Sequence, residues 1–223
     1  MFTTLKITVK PRKSLLERLH LVKKRKFITL EHKVKDTVFY TTELISYSKE
    51  NTSAIRTFRR RADMPVITKK SECYRKIRYI AYANTAFSLY PPADSVSFYD
   101  TSGELAFLIP YVAGRCGSIT VFTRKESAYT DIAGEVYRDF GTPVIFVPNA
   151  GLLKSADILF SPTPLPFKFN KPYFGNGQLS EAVARLPLEI PTLPPDTDTL
   201  AVVAGLYFIE KIKSAGDILF SEK

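Results

Sequence analysis

Four short apolar segments, at residues 96–99, 119–122, 144–147 and 158–160, follow one another through the second part of this 223-residue chain, and a fifth of the same kind lies at 218–220. Short apolar runs bounded by turn formers suit a sheet buried on both faces, and such sheets are parallel. Parallel neighbours need a crossover long enough for a helix. Residues 127–140 supply one between the second and third segments, with Ile132, Ala133, Val136, Tyr137 and Phe140 along one helical face and Gly141 placed to end it. The alternation predicts an α/β fold in which the five segments join one mainly parallel sheet, with 96–99 central and helices on both faces.

The turn at Pro91 and Pro92 divides this region from what precedes it, which predicts a basic α+β region at 1–92 and a Rossmann-like α/β domain at 93–223. In the first region residues 2–9, 27–30 and 37–40 read as strands, 14–22 has helical apolar spacing, and 64–68 reads as a short strand or linker. No element is assigned over 45–58, where apolar and polar residues mix without a period. Ser71 is placed to cap a helix that carries Cys73, Ile77, Ile80 and Phe87 on one face and stops before Pro91. Later, 161–172 reads as a proline-stiffened loop, 178–186 as a short helix, and 199–213 as a last helix. The likeness of KSADILFS at 154–161 to KSAGDILFS near the C-terminus reads as shared local geometry, because the flanking residues do not match.

Charge follows the same division. Residues 1–80 hold 21 of the 32 Lys and Arg and 7 of the 22 Asp and Glu, a balance of +14, which leaves 11 basic against 15 acidic residues for the rest. The clusters at 23–26 and 59–61 suit an anionic partner such as nucleic acid, an acidic protein or a membrane surface, contacted through phosphates or other fixed charges without sequence readout. The longest apolar run, at 200–209, is far shorter than the roughly 20 residues of a membrane-spanning helix. With two unpaired cysteines, Cys73 and Cys116, and no apolar leader in the first residues, the expected compartment is the cytoplasm.

In a doubly wound sheet, ligands sit beyond the carboxyl ends of the strands, here at residues 100–104, 123–125, 148–151 and 161–164. The first of these loops is the informative one. After 96–99 the chain reads Asp100-Thr101-Ser102-Gly103-Glu104, where a dinucleotide-binding turn offers several glycines and a helix N-terminus to the pyrophosphate. Gly103 is the only glycine, Ser102 is placed to cap a helix, and Pro110 falls within that helix and should kink it or start it anew. An Asp100 carboxylate facing a phosphate at roughly 4 Å would repel it by about 4 kcal/mol at an effective dielectric near 20, which offsets what a helix N-terminus contributes.

The stretch 119–141 followed by ADILFSPTP at 156–164 resembles the NAD(P)-binding domains of shikimate dehydrogenase and glutamyl-tRNA reductase, over about residues 95–165. The resemblance implies that Thr123, Arg124 and Lys125 meet the adenosine ribose or its phosphate, which favours NADP over NAD. It also puts the Thr163-Pro164 pair beside the cofactor, in the loop that Ser161 opens, and packs the last helix, 199–213, back on the sheet. The glycine-rich turn is missing, and residues 1–90 lack the substrate-binding pattern of the dehydrogenase and the reactive cysteine context of the reductase. The expectation is therefore a binding role at a degenerate dinucleotide-type site, with Asp100, Thr101, Ser102, Gly103, Thr123, Arg124, Lys125, Ser161 and Thr163 as its residues and NADP bound weakly or not at all.

Two rival readings follow from the same residues: an NADP-dependent oxidoreductase, and a basic protein that binds nucleic acid or another partner. A third, a likeness of FYDTSGEL to the nucleophile segment of haloacid-dehalogenase-like phosphatases with Asp100 attacking phosphorus, Thr123 binding phosphate and Mg2+ held by carboxylates, fails at Ser102, which stands where the acid/base Asp belongs. His20 and His32 are the only histidines and lie outside any cluster of metal-ligand spacing.

Overall fold

The computed structural model describes residues 1–9, 25–34, 37–46, 52–91, 93–175, 183–184, 193, 197–209 and 220–221. The chain forms two compact units, Met1–Ile77 with Leu186–Ala215, and Arg78–Arg185 with Gly216–Lys223. The boundary falls inside a helix, whereas the sequence division at 92 follows that helix's end.

The first unit is built on a four-stranded sheet of β1 (Thr3–Val9), β2 (Arg25–Val34), β3 (Thr37–Ser46) and β4 (Val66–Ile67), in the order β2-β3-β1-β4. β1 runs parallel to β3 and β4, and β2 pairs antiparallel with β3. The helix α1 (Thr52–Arg61) occupies part of the stretch left unassigned from sequence; its Phe58 stacks on Phe27 at 5.1 Å. The helix expected at 14–22 lies outside the described residues.

In the second unit five parallel strands, β5 (Ser95–Tyr99), β6 (Ser118–Phe122), β7 (Val144–Phe146), β8 (Ile158–Ser161) and β9 (Tyr173–Gly175), lie in the order β7-β6-β5-β8-β9. The first apolar segment is central, as the pattern required, and the unit is a Rossmann-like α/β sheet. The fifth strand is different from the one expected. β9 follows the proline-stiffened loop, while Phe220–Ser221 (β11) pairs antiparallel with Val183–Ala184 (β10) in a separate ribbon. That ribbon also replaces helix at 183–184 within the expected 178–186 segment.

Register places Val96, Phe98, Ile119, Val121, Ile158, Phe160 and Phe174 on one face of this sheet. Phe160 stacks on both Phe98 and Phe174, each at 5.5 Å. Helices cover this face. The second half of α2 (Glu72–Leu89) brings Tyr82 against Phe174, α3 (Ile109–Ala113) hands its Ala113 carbonyl to Thr142, and Tyr129, just before α4 (Thr130–Phe140), meets Phe146. Gly141 closes α4 with φ +68°, the left-handed cap the sequence suggested, and only Val136 of that helix is fully buried. Tyr137 and Phe140, expected on its buried face, are exposed. The opposite sheet face is covered by a short 3-10 helix, Ala150–Ser155, and by the loop whose Phe167 packs edge-on to Tyr99.

The last helix, α5 (Thr199–Phe208), belongs to the first unit, which corrects the expectation that it packs on the parallel sheet. It lies against β1 and β4, so closely that a Cβ on Gly205 would run into the Phe2 ring. Leu200 to Leu206 are all buried, and a helix apolar on every side gives no sequence signal for the surface it will choose.

Candidate functional site

The carboxyl ends of β5, β6 and β8 carry the loops in which a ligand of this fold would sit. The backbone of the first loop is tied to its neighbour by Asp100, whose N–H donates to the Phe122 carbonyl at 3.0 Å. Its side chain is fully buried. Oδ1 accepts from the Ser102 N–H at 3.2 Å and the Ser102 hydroxyl at 3.1 Å; Oδ2 accepts from the Leu105 N–H at 2.7 Å and the Tyr129 hydroxyl at 2.5 Å. A buried carboxylate needs this many donors, since ionised oxygens out of water are costly when unpaired. Burial, reinforced by the carboxylate beside it, holds the Tyr129 phenol far above its ordinary range, so it stays a donor.

The donors Asp100 consumes are those a pyrophosphate would want. In a phosphate-binding turn the backbone N–H groups after the first strand point at the ligand; here the Ser102 and Leu105 groups point at an oxygen of the protein's own chain. The sequence expectation that Asp100 faces the ligand and repels it across a short gap is corrected by this geometry. The carboxylate is turned inward and serves as the turn's internal anion.

The helix that should begin at this turn is also altered. Ala106–Leu108 is a single 3-10 turn, and the α-helix starts only at Ile109, with Pro110 in its first turn and no side-chain cap. Proline starts the helix anew because its fixed φ and missing N–H are tolerated there and nowhere later. Ser102 is therefore not a helix cap. Gly103 takes φ +76°, and a Cβ there would lie 2.9 Å from the Ala128 Cβ and 3.5 Å from the Lys125 Cβ. The one glycine of the turn lets its backbone approach the protein's own next loop, in the way the glycines of a dinucleotide turn admit a phosphate.

Of the other expected residues, Thr123 is half-buried and its hydroxyl accepts the Lys125 N–H at 3.0 Å, while Arg124 and Lys125 are exposed beyond it. The contact at Gly103 brings Lys125 to the first loop. Thr101 and Ser102 are half-buried at the surface of that loop. Ser161 is fully buried: its hydroxyl donates to the Thr163 carbonyl at 2.5 Å and accepts the Thr163 N–H at 3.2 Å, which turns it away from any ligand and leaves the exposed Thr163 as the available group. Two tyrosines outside the expected set brace this third loop, Tyr79 donating to the Ser161 carbonyl at 2.7 Å and Tyr173 to the Thr163 carbonyl at 3.2 Å. Asn149 accepts the Gly151 N–H at 2.7 Å and opens the 3-10 helix of the remaining loop. Tyr79 lies inside an apolar helical pattern and Tyr129 and Tyr173 lie in short mixed stretches, and no local signal marks them as bracing a site. Among the described residues no group of three His, Cys, Asp or Glu is placed to hold a metal ion, and no helix is long and apolar enough to cross a membrane.

Fold and site together define a Rossmann-like unit whose first turn is occupied by its own Asp100 carboxylate. No family model and no curated protein matches the chain. Among solved structures it is similar to the iminosuccinate reductase of Paracoccus denitrificans in complex with NAD+, at 13% identity and TM-score 0.35 over 67% of this chain and 39% of that one. L-tryptophan dehydrogenase from Nostoc punctiforme aligns at 14% identity and TM-score 0.35 over 62% and 52% of the two chains. The Δ1-pyrroline-2-carboxylate reductase of Thermococcus litoralis, in complex with NADH and L-proline, aligns at 12% identity and TM-score 0.33, over 60% and 36%. The matched part spans between about a third and half of these proteins. The fold assignment rests on the strand order and register above.

Proposed function

We propose that the chain is a binding protein whose parallel-sheet unit takes its ligand at the crest formed by Thr101–Gly103, Thr123–Lys125 and Thr163, without a pyrophosphate seated on the first turn. The observation that carries this reading is the Asp100 carboxylate bound to the Ser102 and Leu105 N–H groups. An incoming diphosphate would have to displace an anion that is buried, covalently attached and held by four donors, and those donors cost nothing further to organise where they are. NADP and NAD should accordingly bind weakly or not at all. The exposed Arg124 and Lys125 favour an anionic ligand group on the β6 side of the crest, by charge alone.

The same basic pair supports the second reading, an NADP-dependent oxidoreductase, because a phosphate on an adenosine ribose would meet it at that position. Calorimetric titration of the whole chain with NADP and NAD, together with an absorbance assay for NADPH consumption over a panel of ketones and imines, separates the two. Dissociation constants no tighter than millimolar support the binding-protein reading. Micromolar binding of NADP with turnover would establish the alternative.

A further inference from the structure

The first unit holds a cavity of about 80 Å3 that has no part in the site above. Register sets its floor. Lys6 stands opposite Glu43, Thr4 opposite Thr41, and on the next strand Ile28 and Leu30 stand opposite Glu43 and Thr41, so these side chains share one face of the β2-β3-β1 sheet. The start of α5 closes the space with Asp198 and Ala201. The lining is thus part aliphatic, from Ile28, Leu30 and Ala201, and part charged, from Glu43, Asp198 and Lys6.

The carboxylates are oriented by their own protein contacts. Asp198 accepts the Ala201 N–H at 3.1 Å as cap of α5 and the Tyr74 hydroxyl at 3.3 Å, and Glu43 accepts the Thr8 hydroxyl. Each carboxylate offers about four lone-pair sites, so oriented acceptor capacity remains on both. Among the described lining residues two carboxylates stand against one ammonium, and threonine hydroxyls beside them add further acceptors. A site that joins excess carboxylate to aliphatic walls matches a ligand that joins a cation to a carbon chain. With liquid water occupying about 30 Å3 per molecule, the volume corresponds to roughly three water-sized groups and suits a compound of about three to four non-hydrogen atoms.

We propose that this cavity binds a short aliphatic ammonium compound, its cationic head between Glu43 and Asp198 and its carbon chain against Ile28 and Leu30. The test uses the whole chain, with n-propylammonium chloride and sodium propionate as three-carbon probes of opposite charge at matched ionic strength, read by the methyl resonances of Ile28 and Leu30. Propylammonium should shift both in a saturable way in the millimolar range, as its size permits, and propionate should not. Glu43→Gln should weaken the response by about tenfold or more, the usual loss for a hydrogen bond to a charged group. If that variant does not fold, Leu30→Lys serves instead, read at Ile28, since Leu30 is 47% exposed and a cation on the lining repels the head group; the same weakening is expected. Equal shifts with both probes, no saturable shift with either, or unchanged affinity in the variant would overturn the proposal and leave the cavity a water-filled space.

Discussion

Replacing Tyr129 by Phe removes one hydroxyl from the structure and one of the four donors from Asp100, while the ring remains to pack against Phe146. The other three donors stay in place, so the carboxylate keeps its position but is left with a lone pair directed at a ring edge inside the protein. Hydrogen bonds to charged groups contribute about 1.5–3 kcal/mol each, and the full burial of Asp100 leaves no water to take the vacated site, so a loss of about 2 kcal/mol is expected. For a chain of this length that corresponds to roughly 4–8 °C in Tm. Asp100→Asn should cost more, about 3–5 kcal/mol, because an amide nitrogen would face N–H donors and the buried network would break. The two residues touch, so their effects should not add, and a double-mutant cycle by urea denaturation should give a coupling energy of about 1–3 kcal/mol. A Tyr129→Phe change below about 0.5 kcal/mol, with coupling inside that same margin, would refute the internal-anion reading.

Gly103→Ala should destabilise by about 1–3 kcal/mol, since the new methyl meets Ala128 at 2.9 Å in a left-handed backbone; calorimetry of that variant against Gly134→Ala, where nothing lies within 4 Å, isolates the effect. Gly205→Ala should fail to fold or lose more than about 2 kcal/mol, because the Phe2 ring occupies the methyl's place and lies in a core stack with Phe39, and partial recovery in Phe2→Leu checks the cause. Asp157 is held below its ordinary 3.8, first by the hydrogen bond from Lys171 and then by Ser95, so its contribution is present above that value and fades as pH falls through the lower folded value; Asp157→Asn should flatten the acid limb of stability below about pH 4, modestly because the pair is partly exposed. Burial pushes the Cys116 thiol up to about 12, so alkylation by iodoacetamide at neutral pH should be far slower than for a free cysteine peptide, and a comparable rate would show that the thiol is accessible.

The parallel sheet was legible because each of its first four strands is a separate apolar run and every crossover between them is long enough to be a helix. Gly141 was legible for a similar reason: a left-handed cap is a local need that one residue type meets. The fifth strand was hidden because Tyr173–Gly175 is only three residues long and follows a proline-rich loop, while the apolar 218–220 segment looked more like a strand of this sheet. The placement of α5 depends on Phe2, at the other end of the sequence, fitting against Gly205, and periodicity carries no such information. At the site, the loops and their order along the crest could be read from the strands. The role of Asp100 could not, since it depends on which way one side chain turns and on a hydroxyl 29 residues away. A negative charge in the turn was read as adverse to a pyrophosphate through repulsion across a gap; in the structure that charge instead takes up the turn's own donors.

The central claim is that the turn's N–H groups are already committed to Asp100, and backbone amide spectra of the whole chain during a titration with NADP test it most directly. The Ser102 and Leu105 amides should keep their chemical shifts and their protection from hydrogen exchange to the highest concentration reached, with any change confined to Thr123, Arg124, Lys125 and Thr163. Saturable shifts of Ser102 and Leu105 at micromolar NADP would show a phosphate on those donors and contradict the account.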